Sequence, residues 1–252
     1  MHRTRSLSWN AVCAPLLVAL ALLAVQPSVS AAADEPEKPL KVTGDLGFVS
    51  TDGNSDVQTL TGTDKVEYKT GQWLFTQDGS AVWGTDHGVE NAGRYLLGLR
   101  GDYIFTERVG LYGLGTWRRN TFAGIARQFN EGVGVVYHAL IPRPQQLDLE
   151  VGTGLSQRST TLGEDEDFST GRLAALYRYY FKEKAYVEAG GEYLANFKDS
   201  DDYEWNTKTS IVAPLGGFLA LKVGYNYQYR NAPPDGFRKW DSTFATGIQM
   251  TY

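Results

Sequence analysis

The sequence predicts an all-β protein, a transmembrane antiparallel up-and-down β-barrel of about 12 strands. Three observations predict it. From Leu40 onward apolar residues recur with period two, and no stretch sustains the 3.6-residue period of a helix. Shorter and longer polar connections alternate along the chain. The last residues alternate in polarity up to an aromatic, Tyr252.

Composition agrees. The chain holds 28 Gly, 15 Tyr, 11 Phe and 6 Trp against 2 Met and 1 Cys. Aromatics and glycine in place of helix formers favour strands and close backbone approach. Mean hydropathy is −0.32, which by itself suits a soluble chain. In a barrel wall that average misleads, because lipid-facing and lumen-facing residues alternate and cancel.

Residues 1–33 read as a cleavable secretory signal. Arg3 and Arg5 precede an apolar stretch from 11 to 25, and small residues follow at Ser28, Ser30, Ala31, Ala32 and Ala33. The alternative is a membrane-spanning helix, but the stretch is shorter than the ~20 residues a bilayer needs. Cys13 lies at the start of the apolar stretch and not at its end, so it is not placed as a lipid-modified N-terminal cysteine. It leaves with the signal, and with it disulfide and thiol chemistry. Losing Arg3 and Arg5 takes 24 Lys+Arg to 22 against 29 Asp+Glu, a net charge of −7 that argues against nucleic-acid partners. Residues 34–39 (DEPEKP) form a short polar lead, and 40–252 form the barrel.

The clearest strand carries Leu219, Leu221, Val223, Tyr225, Tyr227 and Tyr229 on one face, with Lys222, Asn226, Gln228 and Arg230 on the other. A soluble sandwich strand turns its polar side to water; a membrane barrel strand turns its apolar side to lipid. The same pattern sets Leu147, Leu149, Val151 and Leu155 opposite Asp148 and Glu150. It sets Leu173, Tyr177 and Tyr179 opposite Arg172 and Arg178, and Leu97, Leu99 and Tyr103 opposite Arg94, Arg100 and Asp102. Short turns fall at 71–72, 107–108, 142–144, 183–184 and 216–217. Longer connections fall at 51–56, 85–93, 121–128, 162–167, 198–202 and 231–241. This asymmetry places the short turns in the periplasm. Two strands fit poorly: the outward set Leu60, Gly62, Val66, Tyr68 includes Asp64, and Phe129, Val133, Val135, Tyr137 includes Glu131. A bulge or a place at the rim would relieve each.

In the final strand Ile248, Met250 and Tyr252 share a face, after Gly247. This resembles the C-terminal signal read by the outer-membrane assembly machinery, an aromatic ending the last strand at the interface girdle. Three further segments resemble one known family. They are Gly44-Asp45-Leu46-Gly47-Phe48 with Gly53-Asn54-Ser55-Asp56, Arg94 to Leu99 with Asp102-Tyr103, and Pro233-Pro234-Asp235-Gly236-Phe237 with Asp241-Ser242-Thr243. The chain is similar, over about residues 40–252, to the salt-induced outer-membrane protein family, a Gram-negative family of unknown function. The resemblance implies an outer-membrane barrel and a link to salt stress, with no catalytic or binding residues to carry over. The signal and the final strand lead one to expect export through the periplasm and handling by periplasmic chaperones and the assembly machinery, and an outer-membrane barrel is expected to contact outer-membrane lipids and lipopolysaccharide.

Little chemistry is visible. His87 and His138 lack metal-ligand spacing. The acidic runs 164–167 and 199–202 lack a calcium-loop pattern and read as solvated surface. Ser80 with His87 is the one nucleophile–base pair that can be assembled, for a lipid hydrolase at the rim. Otherwise no catalytic, cofactor or metal residues are expected, and no cofactor. The expected lumen lining is charged in both signs: Arg94, Arg100, Arg118, Arg158, Arg172, Arg178, Lys208, Lys222 and Arg230 with Asp102, Asp148, Glu150, Glu188, Glu192 and Glu204. Two readings stand side by side. One is a narrow passive channel for small charged or polar solutes. The other is a lumen closed by cross-strand ion pairs from Asp148 and Glu150 through Arg172 and Arg178 to Glu188 and Glu192, in a non-catalytic envelope or stress-associated protein.

Overall fold

The computed structural model describes residues 39–52, 57–86, 89–182 and 184–252. The signal 1–33, the lead up to residue 38, the segment 53–56 and His87 lie outside the described residues. Twelve strands follow in order: β1 Leu40–Asp52, β2 Val57–Thr70, β3 Trp73–Asp86, β4 Val89–Ile104, β5 Val109–Asn120 and β6 Ile125–Leu140. They continue as β7 Gln145–Thr160, β8 Asp165–Tyr180, β9 Tyr186–Asn196, β10 Tyr203–Gly216, β11 Leu219–Arg230 and β12 Trp240–Thr251. Each pairs antiparallel with the next, and β12 pairs back onto β1, which closes the barrel. Val42 and Tyr252 seal the seam by exchanging two backbone hydrogen bonds of 2.9 Å. Closure leaves no unpaired edge, the condition for strands to cross a membrane.

The period-two pattern sets an inside-out core. Among the described residues five buried side chains are hydrophobic and twelve are polar or charged, so the interior is polar. Leucines at 97, 99, 149, 155 and 173 are exposed on the outside instead. Aromatic girdles ring both ends. At the end where β1 begins and β12 ends, Trp73 stacks on Phe75 with ring centroids 5.8 Å apart, and Tyr103 lies edge-on to Phe105 at 4.8 Å. At the opposite end Tyr193 meets Trp205 at 6.0 Å and Tyr227 meets Trp240 at 6.4 Å.

Three expectations change. The connections away from the start of β1 are shorter than the polarity suggested, because the strands run on through the polar residues. β3 reaches Asp86 and β4 begins at Val89, so most of 85–93 is strand. Likewise 125–128 belongs to β6 and 165–167 to β8. Backbone pairing, not side-chain apolarity, sustains a ladder. Extended connections remain at 197–202 and 231–239.

Second, neither a bulge nor a rim position relieves Asp64. Its register with β1 and β3 is unbroken, opposite Gly44 and Gly79, and Gln77 Nε2 donates to it at 2.8 Å on the outer face. Third, Glu131 stays on the outer face within regular register, opposite Gly115 and Leu155. The bulges in β6 lie elsewhere, at Ile125/Arg127 and His138/Leu140. Gly79 leaves room for the Asp64 carboxylate, which a Cβ there would meet, whereas a Cβ at Gly115 would meet nothing within 4 Å.

Candidate functional site

The lumen is the candidate site, and its charged side chains fall into three levels. Nearest the start of β1 and the end of β12, Arg178 Nε donates to Glu188 at 2.6 Å, and Lys208 approaches the same carboxylate at 3.4 Å. Lys222 pairs with Asp45, which also accepts from the Thr63 hydroxyl at 2.6 Å. Lys65 pairs with Glu67 at 2.7 Å. These side chains hug the wall and stay partly open: Lys208 is 59% exposed and Lys65 39%.

At mid-height a ladder runs around one wall. Arg100 donates to Asp102 beside it, at 2.6 Å from Nη2, and to Glu150 of β7 at 3.0 Å. Arg172 pairs with the same Glu150 and reaches Glu192 of β9 at 2.6 Å. The Tyr112 ring lies between the two guanidiniums, with Arg100 Cζ 4.3 Å and Arg172 Cζ 5.5 Å from its centroid. Arg172 also donates to the Tyr112 hydroxyl at 3.0 Å. Gly134 and Gly152 make this possible, since a Cβ at either would collide with the Tyr112 ring or hydroxyl.

Toward the loop end the pairs cross the lumen. Arg118 of β5 donates to Glu204 of β10 at 2.6 and 2.8 Å, between strands five apart in a ring of twelve. Arg230 of β11 grips the same carboxylate. Gln128 of β6 accepts from Arg118 at 2.6 Å and donates to Ser156 at 2.9 Å. Arg94 of β4 donates to Gln228 of β11 at 2.9 Å and to Thr243 of β12. Arg158 holds Asp202 at 2.7 Å and also Glu166. Glu204, Arg230, Arg158, Asp202 and Gln128 are all buried. Above them the connection 231–239 folds over the mouth. Pro234 and Phe237 pack on Gly124, whose φ of 75° turns the β5–β6 connection beneath them.

The lumen-lining residues expected from sequence therefore all face inward. Of the expected cross-strand chain, Glu150–Arg172–Glu192 and Arg178–Glu188 form. Asp148 does not join it: its neighbour in register is His138, whose Nδ1 lies 2.5 Å from its carboxylate. Sequence reasoning weighed His138 only as a metal ligand and passed over Tyr112, Gln128 and Thr243. The period-two pattern places each inside, but nothing local marks its partner.

The other candidates disperse. Ser80 sits mid-strand in β3 on the lumen face, six residues from the strand end at Asp86, or about 20 Å. That is not the rim; its expected partner His87 lies outside the described residues. The acidic runs are engaged internally: Glu166 and Asp202 with Arg158, and Asp199 accepting from the Asp201 N–H at 3.0 Å. Among the described residues no group of three His, Cys, Asp or Glu side chains is placed to hold a metal. In the final strand Ile248 and Tyr252 are exposed on the outer face, and Gly247 packs inward against Gly47.

A family model described as a protein of unknown function, DUF481, matches residues 44–252. The chain belongs to this family. No curated protein is significantly similar to it. Among solved structures, this family member is similar to a NanC porin at 8% identity, covering 82% of this chain and 98% of the porin, with a TM-score of 0.57. A KdgM porin in complex with disordered oligogalacturonate is similar at 9% identity, covering 83% and 99%, with a TM-score of 0.50. The translocator domain of the autotransporter NalP from Neisseria meningitidis is similar at 15% identity, covering 86% and 90%, with a TM-score of 0.50. At such identities the likeness is one of fold. It agrees with the closed 12-strand antiparallel barrel.

Proposed function

We propose that this chain is an outer-membrane β-barrel with a non-catalytic envelope role, its lumen held shut near the loop end by ion pairs. One observation carries the closed state: Glu204 is gripped at once by Arg118 and Arg230, from strands on nearly opposite walls, and all three side chains are at most 15% exposed. The placement in the outer membrane rests on the barrel closure, the two aromatic girdles and the porin-like fold. In that orientation the start of β1, the end of β12 and the connections at 71–72, 105–108, 141–144, 181–185 and 217–218 face the periplasm, and 231–239 faces outward. Export through the signal at 1–33 and insertion by the assembly machinery and its periplasmic chaperones complete the reading.

The test is single-channel recording of the folded chain in planar bilayers, where the closed lumen gives no discrete steps. Steps in wild type that change with Arg100→Glu or Arg178→Glu would instead favour the second reading, a narrow passive channel. The half-open charges of the periplasmic end and the fold shared with porins support that alternative. A soluble periplasmic protein without heat-modifiable gel migration would overturn both. The link to salt stress rests on family resemblance, and is tested by whether the chain's outer-membrane abundance rises with external salt.

A further inference from the structure

We propose that the outer, lipid-facing surface of β4–β7 is a binding site for lipid A, with a phosphate between Arg119 and Arg127 and an acyl chain in the groove beneath. Arg119 and Arg127 are exposed on the face opposite the lumen, near the loop end of β5 and β6. They are neighbours across the irregular register between Arg118/Gln128 and Asn120/Ile125. Two like charges side by side on a sheet repel, and an anion between them removes that cost. Guanidinium forks suit phosphate. Arg127 Nε is bonded to Ser159 Oγ at 3.0 Å, which leaves its Nη groups to point elsewhere.

Below Trp117 and Phe129 the same face opens into a groove that crosses the strands from Val66 of β2 to Ser169 of β8, with a volume of about 1040 Å³ over that whole length. Gly101, Gly113 and Gly115 are part of its lining, with Leu99, Val133 and Leu155 beside them. A Cβ at Gly113 or Gly115 would meet nothing within 4 Å, so missing side chains open the hollow. The depth fits one leaflet. Six residues separate Arg119 from Gly113, about 20 Å of strand. At a tilt of about 40° that is about 15 Å in depth, half of a ~30 Å hydrocarbon core.

Glu131 lines the groove and has no hydrogen-bond partner among the described residues. A carboxylate in hydrocarbon needs donors. Amide-linked and hydroxylated acyl chains bring N–H and O–H groups to it, and plain diacylglycerol chains do not. This favours lipid A over a phospholipid such as phosphatidylglycerol, although both carry phosphate. The inference rests on the outer-membrane orientation above.

The experiment is native mass spectrometry of the full chain, folded in detergent micelles, with purified lipid A or phosphatidylglycerol added. Wild type should retain one lipid A per barrel. Arg119→Gln with Arg127→Gln should weaken retention roughly tenfold or more. Gly113→Leu with Gly115→Leu, which fills the groove without touching the arginines, should weaken it comparably. Heat-modifiable migration verifies that each variant is folded. Unchanged retention in both folded double variants overturns the site, and equal retention of phosphatidylglycerol overturns lipid A as its occupant. A wild type that fractionates with the outer membrane but takes no lipid A sinks this inference alone. Fractionation elsewhere sinks the orientation on which it rests.

Discussion

Replacing Glu204 by alanine removes the carboxylate that joins opposite walls and leaves Arg118 and Arg230 facing each other with side chains only 15% and 10% exposed. Breaking a buried ion pair by deleting one partner costs about 3–5 kcal/mol. Were the pair immersed in a water-filled lumen, the same change would cost only about 0–1 kcal/mol. The gap between these figures is what decides. The assay is urea unfolding of the barrel refolded into lipid vesicles, followed by the fluorescence of Trp73, Trp83, Trp117, Trp205 and Trp240. Glu204→Gln keeps the shape and one acceptor oxygen, and should lose less, about 1.5–3 kcal/mol. Replacing Glu204, Arg118 and Arg230 together by Leu and Met should recover most of the loss, because no uncompensated charge then remains. Raising salt to 1 M should change the effect little, as burial shields the pair from screening. Conductance recorded in parallel should rise in Glu204→Ala. A loss below about 1 kcal/mol with unaltered conductance would refute the closed lumen, since only a hydrated pair behaves that way.

Three further outcomes follow from the same geometry. Gly134→Val drives a side chain into the Tyr112 ring and should destabilise the barrel by about 1–3 kcal/mol in the same unfolding assay. Asp64→Leu removes a carboxylate from the lipid face and should stabilise the barrel in vesicles by about 1–2 kcal/mol; a loss would mean that its bond with Gln77 outweighs desolvation. Tyr252→Ser strips an exposed aromatic from the end of β12, and should lower the yield of outer-membrane protein in cells more than the stability of protein folded in vitro.

Strand number and side-chain direction were legible because they depend on a local property, the alternation of polarity. Leu219 to Arg230 read correctly residue by residue. Neighbouring pairs such as Arg172 with Glu192 were legible too, since consecutive strands pair in an up-and-down barrel. The cross-lumen bonds were not. Arg118 and Glu204 are 86 residues apart and Arg94 and Gln228 are 134 apart, and only the closed ring brings them together. Strand ends were misjudged where polar residues stay in the ladder, as at 89–93. Asp64 and Glu131 looked like errors of phase because a carboxylate on lipid is unfavourable; the register shows that each stands opposite a glycine instead.

Alternation also makes the two proposals separable. Arg118 and Arg119 are adjacent in β5, yet one turns to the lumen and the other to the lipid face. Gln128 and Arg127 stand in the same relation on β6. A substitution at Arg118 alters the Glu204 bridge and leaves the groove face untouched. One at Arg119 does the reverse. Conductance should therefore follow the even-numbered members of these pairs, Arg118 and Gln128, and lipid retention the odd-numbered Arg119 and Arg127. If Arg119→Gln moved conductance, or Arg118→Gln moved lipid retention, the wall would be transmitting strain between faces. The lumen network and the lipid face would then have to be treated as one coupled site.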